Sequence, residues 1–519
     1  MKLLKSTATV GGATILSRIL GFLRDVVLAR LFGATGATDA FFLAFRIPNL
    51  LRRMVGEGSF ALAFVPVLSE YREAGDREAV RELVDHVAGS LLAVLMVITA
   101  VGVLAAPAVL AVFAPAWLAD NRPEFWLGVE MLRITFPYVL FISLTALAGG
   151  ILNTWERFLV PALTPILLNL ALIGAALLLS PRMDVPVMAL AWGVLIAGVV
   201  QFLVQFPALA KLGLVPRPRW GWRHDGVKRI MKLMIPTLFG SSVAQINILF
   251  DSLIATFLAA GSVSWLYYSD RLLEFPVGVF GVALATVVLP NLSRKHAAQS
   301  REAFSATMDW ALRLSALITL PAAVGLAVLA APILATLFQY EAFRPDDVVM
   351  AAWSLVAYSL GLPAYIAVKV LAPGYFARQD AKTPVRIAVL ALVTNMVLNV
   401  AFVGALVVND FRAPHAGLAL ASAISAWLNA GLLYRGLRRE GVYTPEPGWG
   451  RILFAVGLAC TVMGVLVGLG MGSLESWTGA PAVERAWRLG LMVGGGAAAY
   501  ALVGLAAGLR PAQFARGAH

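Results

Sequence analysis

Cysteine is almost missing: a single residue, Cys460, in a chain of 519. Disulfides are thereby excluded, and its place in an apolar run makes it a small core residue rather than a reactive thiol. Histidine is scarce too. The five histidines (His86, His224, His296, His415, His519) are scattered without metal-ligand spacing, so no metal site and no cofactor is assigned from them. Charged residues make up only 13% of the chain, and no loop between the apolar runs is large enough for an acidic metal motif or a catalytic base. That excludes a membrane glycosyltransferase and reads as a protein that is not an enzyme. A cleavable leader is also missing, because Arg18 and Arg24 interrupt the first apolar stretch and no small-residue cleavage site follows; the segment is expected to stay as a first helix.

What is abundant is apolar surface. Hydrophobic residues reach 60% and mean hydropathy is +0.82, values that point to a polytopic membrane protein. Apolar runs recur, each long enough to cross about 30 Å of hydrocarbon as a helix. Fourteen transmembrane helices are expected, over 8–32, 38–70, 82–114, 125–153, 157–180, 185–210, 229–260, 264–293, 302–339, 348–377, 384–409, 414–437, 450–472 and 486–509. The net charge of +12 does not indicate nucleic acid here, since most cations sit in short loops. With a cytoplasmic N-terminus the inside loops hold about 25 Lys and Arg and the outside loops about six, which places both termini inside.

The segment AFVPVLSEY (63–71) has a counterpart in VVLPNLSRK (287–295), and PYVLFISLTALAGGIL (137–152) a weaker one in AYSLGLPAYIAVKVLA (357–372). Two matches in the same order at nearly the same offset predict two six-helix lobes. Six is even, so the repeat is parallel. The expected organisation is an N-terminal lobe at 1–212, a cytoplasmic linker at 213–228, a C-terminal lobe at 229–440 and a helix pair at 441–519. All of it is α-helical.

Several charges fall inside the apolar spans, where an arginine costs roughly 2.5–3.5 kcal/mol on insertion scales. Between Thr38 and Tyr71 stand Asp39, Arg46, Arg52, Arg53 and Glu57; Asp39, Arg46, Arg53 and Glu57 share a helical stripe that Pro48 should kink. Arg18 lies about 16 Å into the first span, with Arg24 deeper and Asp25 one heptad from Arg18. Arg30 is near the outer end and reaches the surface. The second half adds Asp270, Arg271, Glu274 and Lys369. Cations outnumber carboxylates in this set, which predicts an anion-attracting, water-filled cavity. Ion pairs that only hold helices together are the competing use. Arg133 and Arg313 are expected near span ends without a role. Asn395 and Asn399 share a face and either ligate a cation or, more commonly, hydrogen-bond between helices.

The segments SRILGFLRD (17–25), ATDAFFLAFRIPNLLRRMVGEGSFALAFVPVLSEY (37–71), GSVSWLYYSDRLLEFPVGVFGVAL (261–284) and KVLAPGYFARQDAKTPV (369–385) closely resemble the MurJ (MviN) family. The resemblance implies a flippase of lipid II, the undecaprenyl-pyrophosphate-linked peptidoglycan precursor, within the multidrug/oligosaccharidyl-lipid/polysaccharide exporter superfamily. It implies two lobes around a V-shaped cavity and a final helix pair bordering a groove for the lipid tail. Carried over by position, the family's cavity arginines match Arg18, Arg24, Arg52, Arg53 and Arg271. Its other polar positions match Ser17, Asp39, Glu57, Ser264, Asp270, Glu274 and Lys369. The implied setting is the bacterial cytoplasmic (inner) membrane, with lipid II and membrane lipids as partners, a monomer, and contact with the cell-wall synthesis machinery. Coupling to the membrane potential or to a monovalent cation is open; the eleventh span has no buried carboxylate, a departure from relatives that hold sodium there. The alternatives are a flippase for another polyprenyl-linked oligosaccharide and a multidrug exporter.

Overall fold

The structure, a computed structural model, describes residues 2–53 and 60–510, with side chains from residue 10 onward except 236–244 and 282. The described residues form helices joined by short turns, with no strand among them. Eleven of these helices are long and apolar enough to cross a membrane, from Arg77–Leu104 to Ala482–Ala506. This is a multi-pass membrane protein. The eleven do not include α1 (Lys2–Phe32), which carries Arg18, Arg24 and Asp25, or α2 (Gly36–Leu51), which has only 16 residues.

The chain divides into two compact units, Met1–Val263 and Ser264–His519. In the first, α3 (Phe60–Glu73) packs on Tyr138–Thr154, and α4 (Arg77–Leu104) packs on that same helix. Their shared core includes Phe64, Leu68, Leu83, Val84, Leu147 and Ile151, and is closed by Val227 and Ile230 of Asp225–Ala255. In the second, Val282–Ala297 and Arg301–Val328 both pack on Leu362–Phe376. Within each unit, the two segments that carry the sequence matches pack on each other. The Trp449–Met471 and Ala482–Ala506 helices pack on each other, and Ile452, Val456 and Cys460 rest against Leu317, Leu320 and Val324 of Arg301–Val328.

Local chemistry explains how polar backbone survives in these helices. Asp76 caps α4, accepting from the N–H groups of Glu78 (2.9 Å) and Ala79 (3.1 Å). In α2, Pro48 has no N–H to give the carbonyl of Ala44, four residues earlier. The Thr135 hydroxyl, 3.4 Å from that carbonyl and 3.4 Å from the Leu132 carbonyl of its own helix, shares its one proton between them. Just beyond Pro48 the backbone widens to π spacing at Arg52 and Arg53. The helix Lys382–Val408 shows the pattern expected in lipid, with Asn395 and Asn399 at 1% and 0% exposure while Val397 and Val400 are 62% and 61% exposed.

Candidate functional site

The polar residues of the spans are described unit by unit, beginning with α1. Arg24 and Asp25 are buried, and the guanidinium holds the carboxylate through Nε (2.9 Å) and Nη2 (2.7 Å) while Nη1 donates to Asn169 Oδ1 at 3.1 Å. Asn169 Nδ2 in turn donates to the carbonyl of Ser17 at 3.0 Å, so the Leu159–Gly174 helix is stitched to α1 at two points. Arg18 is exposed and Ser17 half-buried. Asp25, placed by heptad spacing on the face of Arg18, is thus engaged by its sequence neighbour. A guanidinium is long enough to fold back along the helix, which heptad spacing does not describe.

In α2, Asp39 is 2% exposed and accepts the N–H of Gly261 at 2.7 Å. It ties the start of α2 to a turn whose glycine has φ +97°, a conformation L side chains rarely adopt. Arg46 donates to the hydroxyl of buried Ser252. Arg52 is half-buried with Nε on Asn49 Oδ1 at 2.8 Å, and Arg53 is exposed. Glu57 lies outside the described residues.

In the second unit, Arg271 Nη1 donates to Glu274 Oε2 at 2.6 Å, with side-chain exposures of 31% and 49%. Asp270 is exposed and Ser264 buried. Lys369 is half-buried and lies along Gly281, where an added Cβ would come within 2.7 Å of its Cδ; the glycine admits the lysine stem. Asn399 Nδ2 donates to Asn395 Oδ1 (2.9 Å) one turn back in the same helix, and Asn395 Nδ2 donates to Ser422 Oγ (3.2 Å) of Ala416–Arg439, a hydrogen bond between helices.

Several polar groupings bring together residues far apart in the sequence. Arg485, in the first turn of Ala482–Ala506, is buried and donates to the carbonyls of Ala480 and Ala335 and to Gln339 Oε1. Arg313 is ion-paired with Asp309 and stacks on Trp449 at 5.5 Å, and Asp309 also accepts from Tyr443 and Trp449, both at 2.7 Å. Burial, with Asp309 beside it, holds the Tyr443 hydroxyl well above the ordinary phenol range. Two histidines that look scattered, His86 and His224, come together with Glu82. Two pockets, of about 300 Å³ beside Arg313 and Arg451 and about 340 Å³ beside Arg72 and Lys211, contain none of the predicted headgroup residues.

Comparison with known proteins completes the picture. Residues 28–482 match the family described as "Lipid II flippase MurJ". The chain is 46% identical to the "Probable lipid II flippase MurJ" of Vibrio cholerae, over 98% of this chain and 97% of that one. It is 45% identical to the "Lipid II flippase MurJ" of Burkholderia cenocepacia, over 90% of each. Among solved structures it shares its fold with "Lipid II flippase MurJ, inward closed conformation", at TM-score 0.77 and 24% identity over 95% of this chain and 97% of that one. An inward-facing multidrug MATE transporter of the MOP superfamily follows at TM-score 0.64 and 16% identity, over 82% of this chain and 95% of that one. By a family match spanning most of its length and by relatives alike from end to end, the chain belongs to the MurJ family of lipid II flippases, which are transporters and not enzymes.

Proposed function

We propose that this protein moves lipid II from the cytoplasmic to the periplasmic leaflet by alternating access, with a cationic cavity that takes the pyrophosphate headgroup. The observation that carries the reading is the end-to-end relation to curated flippases. It is joined by guanidinium groups retained in apolar helices at an insertion cost that an anionic ligand would offset. The remainder of the proposal is fourteen spans with both termini cytoplasmic in the inner membrane, the lobe, linker and final-pair boundaries expected from sequence, and a polyprenyl tail held in lipid beside 441–519. The protein works as a monomer.

Geometry divides the arginines by how free they are to meet a headgroup. Arg18 and Arg53 are exposed, so their donors are open to a pyrophosphate. The Arg271–Glu274 pair is partly exposed; such a pair contributes about 0–1 kcal/mol and exchanges readily for a doubly charged anion. Arg24 is held on three sides, and its role is to shape the wall that others line.

The test is complementation of a flippase-depleted strain, together with headgroup-protection assays on lipid II. Arg18→Ala and Arg53→Ala are each expected to lose both activities at normal membrane levels. Full activity with both replaced would end the cationic-cavity reading. Offering another polyprenyl-linked saccharide and a cationic drug in parallel separates the two alternatives, since a lipid II flippase leaves both unmoved.

A further inference from the structure

Near the start of α4, away from the polar residues of the spans, Glu82 and His86 stand one helical turn apart on one face. His224 reaches them from the end of the 213–224 connection, where it is the N-cap of Asp225–Ala255. One ligand atom from each residue lies within 4.8 Å of the other two. The two imidazoles stack, with centroids 5.0 Å apart and planes 21° apart. Two imidazoles and a carboxylate make up a donor set suited to zinc-class ions. A tetrahedral ion with ligands at about 2.0–2.1 Å holds them about 3.3 Å apart, so the three side chains must close by small rotations. Glu82 is exposed and both histidines half-buried, which leaves that freedom and an open fourth position for water.

The backbone already holds the connection against α4 at this point. Asp85 Oδ1 accepts the N–H of Arg217 (2.7 Å), and the Asp85 carbonyl accepts that of Arg219 (3.0 Å). Gly221 lies so close to His86 that an added Cβ would meet the His86 Cβ at 2.4 Å. His86 is also set in the metal-binding tautomer. Its Nδ1 lies 2.9 Å from the carbonyl of Glu82, a bond that requires N–H on Nδ1 and leaves the lone pair on Nε2.

His224 is arranged differently. Its Nδ1 accepts the N–H of Gly226 at 3.1 Å, capping the Asp225–Ala255 helix. A metal on Nδ1 displaces that N–H. A metal on Nε2 requires the proton on Nδ1, which can then no longer accept. Metal and helix cap therefore compete for one ring.

From these contacts we infer that Glu82, His86 and His224 form a binding site for a divalent zinc-class ion. The ion fastens the connection to α4 while releasing the side-chain cap of Asp225–Ala255, so its occupancy sets the state of that helix's first turn.

The experiment uses the full-length, untagged protein in lipid nanodiscs, stripped with a chelator and titrated with Zn²⁺ by calorimetry and with Co²⁺ by visible absorption. One equivalent is expected, with the intense bands of four-coordinate Co²⁺. His86→Ala and His224→Ala should each weaken binding by at least about 10–100-fold, the loss typical of removing even an outer partner of a metal site. Glu82→Gln weakens it as well, and His296→Ala leaves it unchanged. Hydrogen exchange should slow in 217–224 and quicken at Gly226 when Zn²⁺ is added. Stoichiometric binding that survives the His86→Ala/His224→Ala pair overturns the site. So does a folded wild-type protein that takes up no Zn²⁺, which would leave the stacked rings as packing for the connection. Binding without faster exchange at Gly226 overturns the coupling to the helix cap.

Discussion

Arg24 shows how one guanidinium in a span serves structure. Its side chain is 9% exposed and that of Asp25 is 0% exposed, so replacing the arginine takes from a fully buried carboxylate the guanidinium that meets it through two nitrogens. Breaking a buried pair from one side costs roughly 3–5 kcal/mol, whereas removing both partners costs far less. Arg24→Ala is therefore expected to lower the thermal midpoint and the amount of protein in the membrane. The Arg24→Ala/Asp25→Ala pair should recover most of both, read by thermal scanning and immunoblot of membranes. A normal midpoint and level in the single variant would return Arg24 to the set that meets substrate directly. Asp39 and Arg46 belong with Arg24: a backbone N–H and a serine hydroxyl occupy them, and neither partner is visible from the stripe they share in sequence.

Among the helices, α2 carries the clearest local compromise. Pro48, just before the two arginines, has no N–H for the buried Ala44 carbonyl, which accepts from Thr135 of Pro123–Thr135. Thr135→Val removes that donor at a cost of about 1–3 kcal/mol, the usual penalty for an unsatisfied buried polar group. Pro48→Ala restores a backbone donor. The Thr135→Val change should consequently cost less in the Pro48→Ala background, and a thermal double-mutant cycle measures the difference. Additive effects would show that the hydroxyl and the proline are unconnected. The missing backbone donor was legible from Pro48. The threonine that compensates it was not, because it belongs to a helix far along the chain.

On the proposed mechanism, transport of a charged headgroup by the complete protein would tie the cycle to the membrane field. An interior-negative potential of about 100 mV is worth about 2.3 kcal/mol per elementary charge, which would favour inward return of the proposed cationic cavity when empty. Reconstituted protein is expected to flip faster when that potential is imposed, as followed by headgroup protection; an unchanged rate removes the coupling. The membrane class and the helical fold could both be read from the chain, because hydropathy and helical periodicity are local properties that survive without neighbours. The family could be read as well, since long motifs such as GSVSWLYYSDRLLEFPVGVFGVAL keep their residues in order. Partner choice could not. Whether His86 finds His224, and which groups meet Asp39 and Arg46, depend on distances across packed helices. Those distances exist once the apolar faces have docked, and no residue spacing encodes them.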